Sequence, residues 1–425
     1  MAGQDYKKGV SEAKLDYGWR FQGKPVLLHD DISTIVDESS HLMQMALTQM
    51  SKEYFSVERC LQCGMCAEAC PNTMLNMNGR FSPREFIQKL RLGLLDFSGE
   101  DLWFCTNCGS CESVCPYEIS FIDVMTDLRN LVIERGAGYL PHSLKSAIFS
   151  TANYKNPWME DPGKRGDWIK TLNIPILTKD NTNAMLLFVG CLPSYDEHGK
   201  NVAKAAAQLL NKAGISFDIL GEKEACCGDS ILRVGDYKTF EQLKTINKRS
   251  FKERGIKNIY TLSPHCFDVI TNHYFEKHED TFSVAPFVLL LHEILTKSRL
   301  KIDKPINKIV TFHDPCFLSK HNHITSEPRE ILKILPGIEL REMEHHGSKS
   351  ICCGGGGGGI WLDRKKGERL AEIRLREVLK TKADILVTAC PLCLSMLEDA
   401  AKNDNRFNHI EIMDICELVM KGVEQ

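Results

Sequence analysis

Two adjacent cysteines, Cys352 and Cys353, run directly into six glycines, Gly354 to Gly359. Thirty-five residues separate Cys316 from Cys352, and 36 separate Cys353 from Cys390, which opens the run Cys390-Pro391-Leu392-Cys393. Five thiols at this spacing are hard to explain as packing. Neighbouring cysteines do not readily bond to each other, yet they can present two sulfurs to one metal centre. Glycines have no Cβ, so Gly354, Gly355 and Gly356 can bring backbone N–H groups against a bulky charged cofactor. Thiolates near a metal or a glycine nest have lowered pKa values and are nucleophilic, so such a site can attack a disulfide and hold the released thiolate on metal. The surplus over four thiols suggests an unusual iron–sulfur centre, or a cubane plus one free reactive thiol.

Upstream, Cys60, Cys63, Cys66 and Cys70 precede Pro71, and Cys105, Cys108, Cys111 and Cys115 precede Pro116, each 45 residues after its counterpart. C-x2-C-x2-C-x3-C-P found twice is the signature of two [4Fe–4S] cubanes, three thiolates of a run facing one cluster and the fourth the other. Cys60, Cys63, Cys66 and Cys115 are thus expected around one cluster, and Cys105, Cys108, Cys111 and Cys70 around the second. Zinc is the competing metal for CxxC pairs, but two such runs, each closed by proline, favour iron.

Eighteen cysteines in 425 residues, behind a polar N-terminus with no apolar core, point to metal ligands in a reducing cytosol rather than a secreted disulfide scaffold. A net charge of −3 argues against nucleic acid as the main partner. No apolar run reaches the ~18 residues of a membrane span. The longest, at 287–291, stops at His292 and Glu293. The chain is expected in the cytoplasm, able to dock on a membrane partner.

Several elements must position these thiols. Residues 1–52 form an N-terminal arm, with one helix within 30–50. Residues 53–136 form a mainly helical two-cluster domain. One of its helices starts at Ser82-Pro83-Arg84-Glu85, a capping box with Pro at the first helical position, and runs to about 95. Another starts after Ser120 and ends near Gly136. Residues 137–183 are a linker rich in Pro and aromatic residues, with Trp158 and Trp168 as packing groups. Residues 184–304 and 305–425 are two repeats. Cys191 matches Cys316, Cys226-Cys227 matches Cys352-Cys353, and Cys266 matches Cys393, at offsets of 125, 126 and 127 residues. Apolar runs at 185–189, 216–220, 258–262, 309–312 and 385–388 read as strands, with helical patterns at 202–213, 238–254, 328–335 and 364–380. Strand, helix, strand implies parallel α/β units, which gather ligands at strand carboxyl ends. Cys416 reads as a packing cysteine.

The arrangement of Cys316, Cys352-Cys353-Gly354 and Cys390-Pro391-Leu392-Cys393, behind a two-cluster domain, resembles the cysteine-rich "CCG" domains of the heterodisulfide reductase family. The order is similar to its D subunit, to the K subunit of the sulfite-reduction membrane complex, and to iron–sulfur subunits of transmembrane cytochrome complexes. The resemblance covers about residues 53–425. It implies that Cys316, Cys352, Cys353, Cys390 and Cys393 hold a non-cubane [4Fe–4S] centre at which a disulfide is reduced. His313, in His313-Asp314-Pro315-Cys316, is then a candidate proton donor to a leaving thiolate, with Cys352 and Cys353 as the catalytic thiols. The first half departs from the pattern. Ser263-Pro264-His265-Cys266 stands where a CxxC pair is expected, and Cys227 is followed by Gly228-Asp229-Ser230. Cys191, Cys226, Cys227 and Cys266 could hold a further cluster, Ser263 could add an oxygen ligand, or the half could be empty.

The leading expectation is an iron–sulfur oxidoreductase that draws electrons from a membrane cytochrome b-type subunit or a flavoprotein and reduces a disulfide, or forms one if flux reverses. The glycine run lacks the spacing and acidic partner of a dinucleotide site. The competing class is a non-catalytic electron-transfer subunit of a flavin-dependent glycolate- or lactate-type oxidoreductase.

Overall fold

The computed structural model describes residues 20–21, 24–25, 53–75, 81–136, 138–170, 172, 185–275 and 282–423. The helix expected within 30–50 lies outside these residues. Of the N-terminal arm, Arg20–Phe21 pairs antiparallel with Lys24–Pro25.

The first domain is built from the short helices Glu53–Glu58, Met65–Ala69, Pro71–Met74 and Asp101–Phe104 and the longer Pro83–Leu92 and Phe121–Arg135. Phe81, Phe86, Phe104 and Phe121 meet edge-on or tilted at 5.7–6.5 Å in its core. Pro83 opens its helix and Gly93, left-handed at φ 70, closes it. The expected capping box does not form, because Ser82 makes no side-chain cap bond; its carbonyl accepts from Phe86 N instead.

The stretch read as a linker holds the helix His142–Tyr154 and two 3-10 turns. Its buried face is Leu144, Ala147, Ser150 and Thr151, mostly small or polar, which hid the helical period. Trp168 is buried against the first α/β domain and Trp158 meets Trp361 at a tilt, 5.9 Å between ring centres.

Each repeat is an α/β unit with an all-parallel sheet. In the first, β1 (Met185–Phe188), β2 (Asn258–Thr261) and β3 (Ser283–Pro286) lie in that order. In the second, β4 (Lys308–His313), β5 (Ile338–Leu340), β6 (Ile385–Thr388) and β7 (Glu411–Asp414) are ordered β5–β4–β6–β7. The strand expected at 216–220 reduces to a single bridge, Asp218 with Leu186. The helix expected from 364 begins at Leu370.

The two units share one core. The helix Glu197–Lys212 buries Ala203, Ala205, Ala206 and Ala207, and their small size lets it pack on Ile415–Gly422 and Pro391–Lys402 of the other unit. His198 locks this contact: Nδ1 meets Glu398 at 2.7 Å and Nε2 meets Glu417 at 2.9 Å. These carboxylates raise its pKa to about 10. Cys416 is buried in the shared core.

The glycine run faces the first domain. A Cβ on Gly356 would stand 2.4 Å from Thr106 O, and one on Gly357 2.5 Å from Cys105 O. We expect Gly356→Ala to lower stability by about 1–3 kcal/mol in thermal unfolding, because backbone must shift to admit the methyl. Gly255→Ala, into open space at φ +59, should cost only about 1 kcal/mol. Equal losses would discount the seam.

The clamp has a pH signature. His198 titrates above its unfolded value, so its stabilisation is complete below pH ~6.5 and is lost as pH rises through about 10. His198→Gln should cost roughly 1 kcal/mol at pH 6 and nothing near pH 11 in denaturant melts. A pH-independent loss would assign His198 to packing alone.

Candidate metal centres

The first domain sorts its eight thiols into two sets. Burial and the neighbouring sulfurs of Cys60, Cys115 and Cys63 push the Cys66 thiol up. These four line a hollow with Ile87, Ile119 and Phe121; Cys111 also reaches it. Cys70, Cys105, Cys108 and Cys111 line a second hollow. Burial raises Cys70 to about 11 and Cys105 to about 12, and Cys108 acts on both. The fourth cysteine of each run thus lies with the other run's triad. Backbone repeats with sequence: Gln62 and Asn107 take positive φ before the second cysteine of each run, and Gly64 and Gly109 after it. Two hollows, each ringed by four sulfurs, fit two four-iron clusters. Cys63 is exposed; the other described cysteines are buried or half-buried.

In the second α/β unit, strand ends deliver the thiols. β4 ends at His313, three residues before Cys316. β6 ends two residues before Cys390, and Cys393 lies in the first turn of Pro391–Lys402. Cys352 and Cys353 enter from the loop between. Cys316, Cys352, Cys353, Cys390 and Cys393 are at most 5% exposed. Their sulfurs form a chain. Cys352 meets Cys108, Cys316 and Cys353, and Cys393 meets Cys353 and Cys390. Received hydrogen bonds hold Cys352 and Cys353 below the usual thiol range. Gly354 N–H donates to Cys352 Sγ at 3.3 Å, and Gly355 N–H faces Cys353. At Gly356 the place a side chain would take is occupied by the Thr106 carbonyl.

A ring nitrogen of His313 and the sulfurs of Cys353 and Cys393 lie within 4.8 Å of one another. Nδ1 accepts from Arg374 Nε at 3.2 Å, which leaves the ring proton on Nε2, a nitrogen with no hydrogen-bond partner among the described residues. Burial and the Arg374 charge hold the imidazole pKa well below its ordinary value. A neutral ring with its proton on Nε2 is placed to donate a hydrogen bond to a neighbouring sulfur. Two buried cations flank the site. Arg374 binds Glu377 and the His345 carbonyl, and Lys320 bonds to the Ser350 carbonyl and acts on Cys316 and Cys108.

The first α/β unit also gathers its thiols. The free thiols of Cys191, Cys226, Cys227 and Cys266 neighbour one another in that order. Ser263 is the N-cap position of Pro264–His273, and its hydroxyl takes no part in these contacts among the described residues. Arg165 reaches Cys191 Sγ at 3.6 and 3.7 Å and pairs with Glu224 at 2.7 Å. Glu224 accepts from Val189 N and Gly190 N at the end of β1. Sequence reasoning missed Arg165 because it lies in the stretch read as linker. It also missed His265, whose Nδ1 meets Asp229 at 2.7 Å, whose ring packs on Phe317 at 4.0 Å, and which acts on Cys390 of the other unit.

Comparison with known proteins agrees with this layout. The cysteine-rich domain family, CCG, matches residues 185–271 and 310–398, and the 4Fe-4S dicluster domain family matches 56–119. The chain is 30% identical over 402 residues to the D subunit of the dihydromethanophenazine:CoB–CoM heterodisulfide reductase of Methanosarcina barkeri, covering 87% of this chain and 95% of that protein. It is 32% identical to a probable iron-sulfur-binding oxidoreductase, FadF, of Bacillus subtilis, over 76% of this chain and 47% of the relative. It is 30% identical to an EtfAB:quinone oxidoreductase of Syntrophomonas wolfei, over 88% of this chain and 59% of the relative. The chain thus spans about half the length of the latter two. A crystal structure of a hypothetical protein from Helicobacter pylori shares the fold, with a TM-score of 0.56 at 11% identity over 90% of this chain and 77% of that one. With a dicluster domain leading into two cysteine-rich domains, and near-complete coverage of the Methanosarcina protein, the chain belongs to the heterodisulfide reductase D-like family of iron–sulfur oxidoreductases.

Proposed function

We propose that this chain carries electrons through two [4Fe–4S] cubanes to a non-cubane [4Fe–4S] centre in the second CCG domain and reduces a disulfide-type substrate there. The observation that carries the reading is the contact between the Cys108 and Cys352 side chains, which brings a dicluster cysteine against the second CCG site with no residue between. Electrons come in at the exposed Cys63 side, from a membrane cytochrome b-type subunit or a flavoprotein, with the chain peripheral on the cytoplasmic face. Among the described residues no helix is long and apolar enough to cross a membrane.

The clusters, when bound, supply one-electron storage and a Lewis-acidic iron for a substrate thiolate. The chain's residues do the rest. Lys320 and Arg374 offset the negative charge of the buried thiolates, the amides of Gly354 and Gly355 orient Cys352 and Cys353, and His313 can donate its Nε2–H to sulfur. Reduction of a disulfide takes two electrons and two protons and gives two thiols. The burial of all five thiols supports a second reading, a non-catalytic electron-transfer subunit of a flavin-dependent oxidoreductase.

Anaerobic purification with iron and sulfide analysis separates the two. The catalytic reading expects about twelve irons per chain, or about sixteen with the first CCG domain loaded. It also expects an EPR signal induced by an oxidised thiol substrate. About eight irons without that signal would leave the electron-transfer reading. Cys353→Ala should abolish disulfide reduction while both cubane signals persist; unchanged reduction would sink the assignment of Cys353.

A further inference from the structure

Arg129 lies in the middle of Phe121–Arg135 with no exposed surface. Its Nη1 donates to Asn107 Oδ1 at 2.8 Å and Arg233 O at 2.9 Å. Nη2 donates to Leu102 O and Cys105 O, both at 2.6 Å, and Nε to Leu102 O at 2.9 Å. The Trp103 ring covers it at 5.3 Å. Every acceptor is a neutral oxygen. A guanidinium keeps its proton in proteins, and the charge acting on this one is Cys105.

A buried cation without a carboxylate costs several kcal/mol unless other negative charge offsets it. Cys70, Cys105, Cys108 and Cys111, as thiolates around a cluster, supply that charge. The outer set differs. Arg91, which donates to Cys60 O at 2.9 Å, is only half-buried, and Arg84, near Gly64, is exposed, so water screens both charges.

We infer that Arg129 sets the potential of the inner cluster: its fixed charge favours the reduced, more negative state of the group held by Cys70, Cys105, Cys108 and Cys111. This rests on the cluster assignment proposed above. Reduction adds one electron from the cytochrome or flavin partner and changes no bond in the chain. A neighbouring cation stabilises the added charge, and cluster potentials follow such local charge. Electrons arriving beside Cys63 therefore run downhill to Cys108, and Lys320 and Arg374 continue the gradient at Cys352. Glu112, the carboxyl acting on Cys111, accepts from Ile122 N at 2.7 Å and shares no hydrogen bond with Arg129 among the described residues. The inferred direction of flow is from the dicluster domain into the second CCG domain.

The test is an EPR-monitored redox titration of the full-length, iron-loaded protein with dithionite. In the wild type, one cubane signal should reduce before the other. At the potential where that first signal is half reduced, Arg129→Gln should cut its reduced-to-oxidised ratio about tenfold. Asn107→Asp, which hands the guanidinium a carboxylate of the same shape, should act in the same direction. Arg129→Lys should stay within about twofold of wild type. Variants with wild-type iron content whose ratio does not move overturn the inference, as does a lysine variant that shifts as far as the glutamine one. If Arg129→Gln loses iron, Asn107→Asp decides. A wild type with no cubane signal would instead sink the cluster assignment itself, a failure distinguishable from unmoved variants.

Discussion

The contact between Cys108 and Cys352 is the constraint on which the rest of the molecule depends. For two sulfurs on different domains to meet, the backbones carrying them must approach to contact distance. The six glycines make that approach possible: besides Gly356 and Gly357, a Cβ on Gly358 would stand 2.9 Å from Val234 Cγ1 and 3.0 Å from Leu144 Cδ1. The run therefore touches the dicluster domain, the first α/β unit and the helix His142–Tyr154 together. Arg129 closes the same seam from the other side, binding Cys105, Asn107 and Arg233 with one planar group.

Bringing so many thiols out of water creates an electrostatic problem. A thiolate buried without compensation would be driven back to the thiol, and the raised Cys70 and Cys105 show that tendency. The fold answers with a buried cation at each buried set: Arg129 at the inner dicluster thiols, Lys320 and Arg374 at the second CCG site, and Arg165 at the first. Their partners differ. Arg165 and Arg374 each hold a carboxylate, Glu224 and Glu377. Arg129 and Lys320 are bonded to neutral oxygens. The less compensated cations flank Cys108, where the proposed electron path crosses between domains.

Much of this was legible in the sequence where residue type and spacing carry the chemistry directly. The two four-cysteine runs and their exchange of fourth members, the helix that ends at Gly136, the parallel units and the burial of Cys416 are all of this kind. What stayed hidden depends on chain folding back from afar. The strands Ser283–Pro286 and Ile338–Leu340 are short and partly exposed, so they show no apolar run. The helix His142–Tyr154 buries serine and threonine. Arg129, Arg165, Lys320 and Arg374 read as ordinary surface cations, since nothing local to them announces a sulfur; only the tertiary fold supplies it. His265 belongs by sequence to one repeat and by contact to the other.

The two repeats then differ for a reason other than decay. The first half lacks a glycine run, and by sequence that suggested a degenerate site. The glycines, however, serve the seam with the dicluster domain. At the matching place, Gly228 takes φ +83 against Phe240, and Asp229 pairs with Arg233 and His265. That network is itself an interface: Arg233 lies over Phe317 at 5.4 Å, and Phe317 stacks on His321 at 4.3 Å, which reaches Asn107 O at 3.0 Å. Each half has spent the residues after its cysteine pair on a different neighbour, the second with glycines on a backbone, the first with charges on an aromatic stack. Absence of glycine therefore says nothing against metal at Cys191, Cys226, Cys227 and Cys266. The difference that bears on chemistry is Ser263, which leaves that set with four sulfurs, the number a closed cubane takes and one short of the five in the second half.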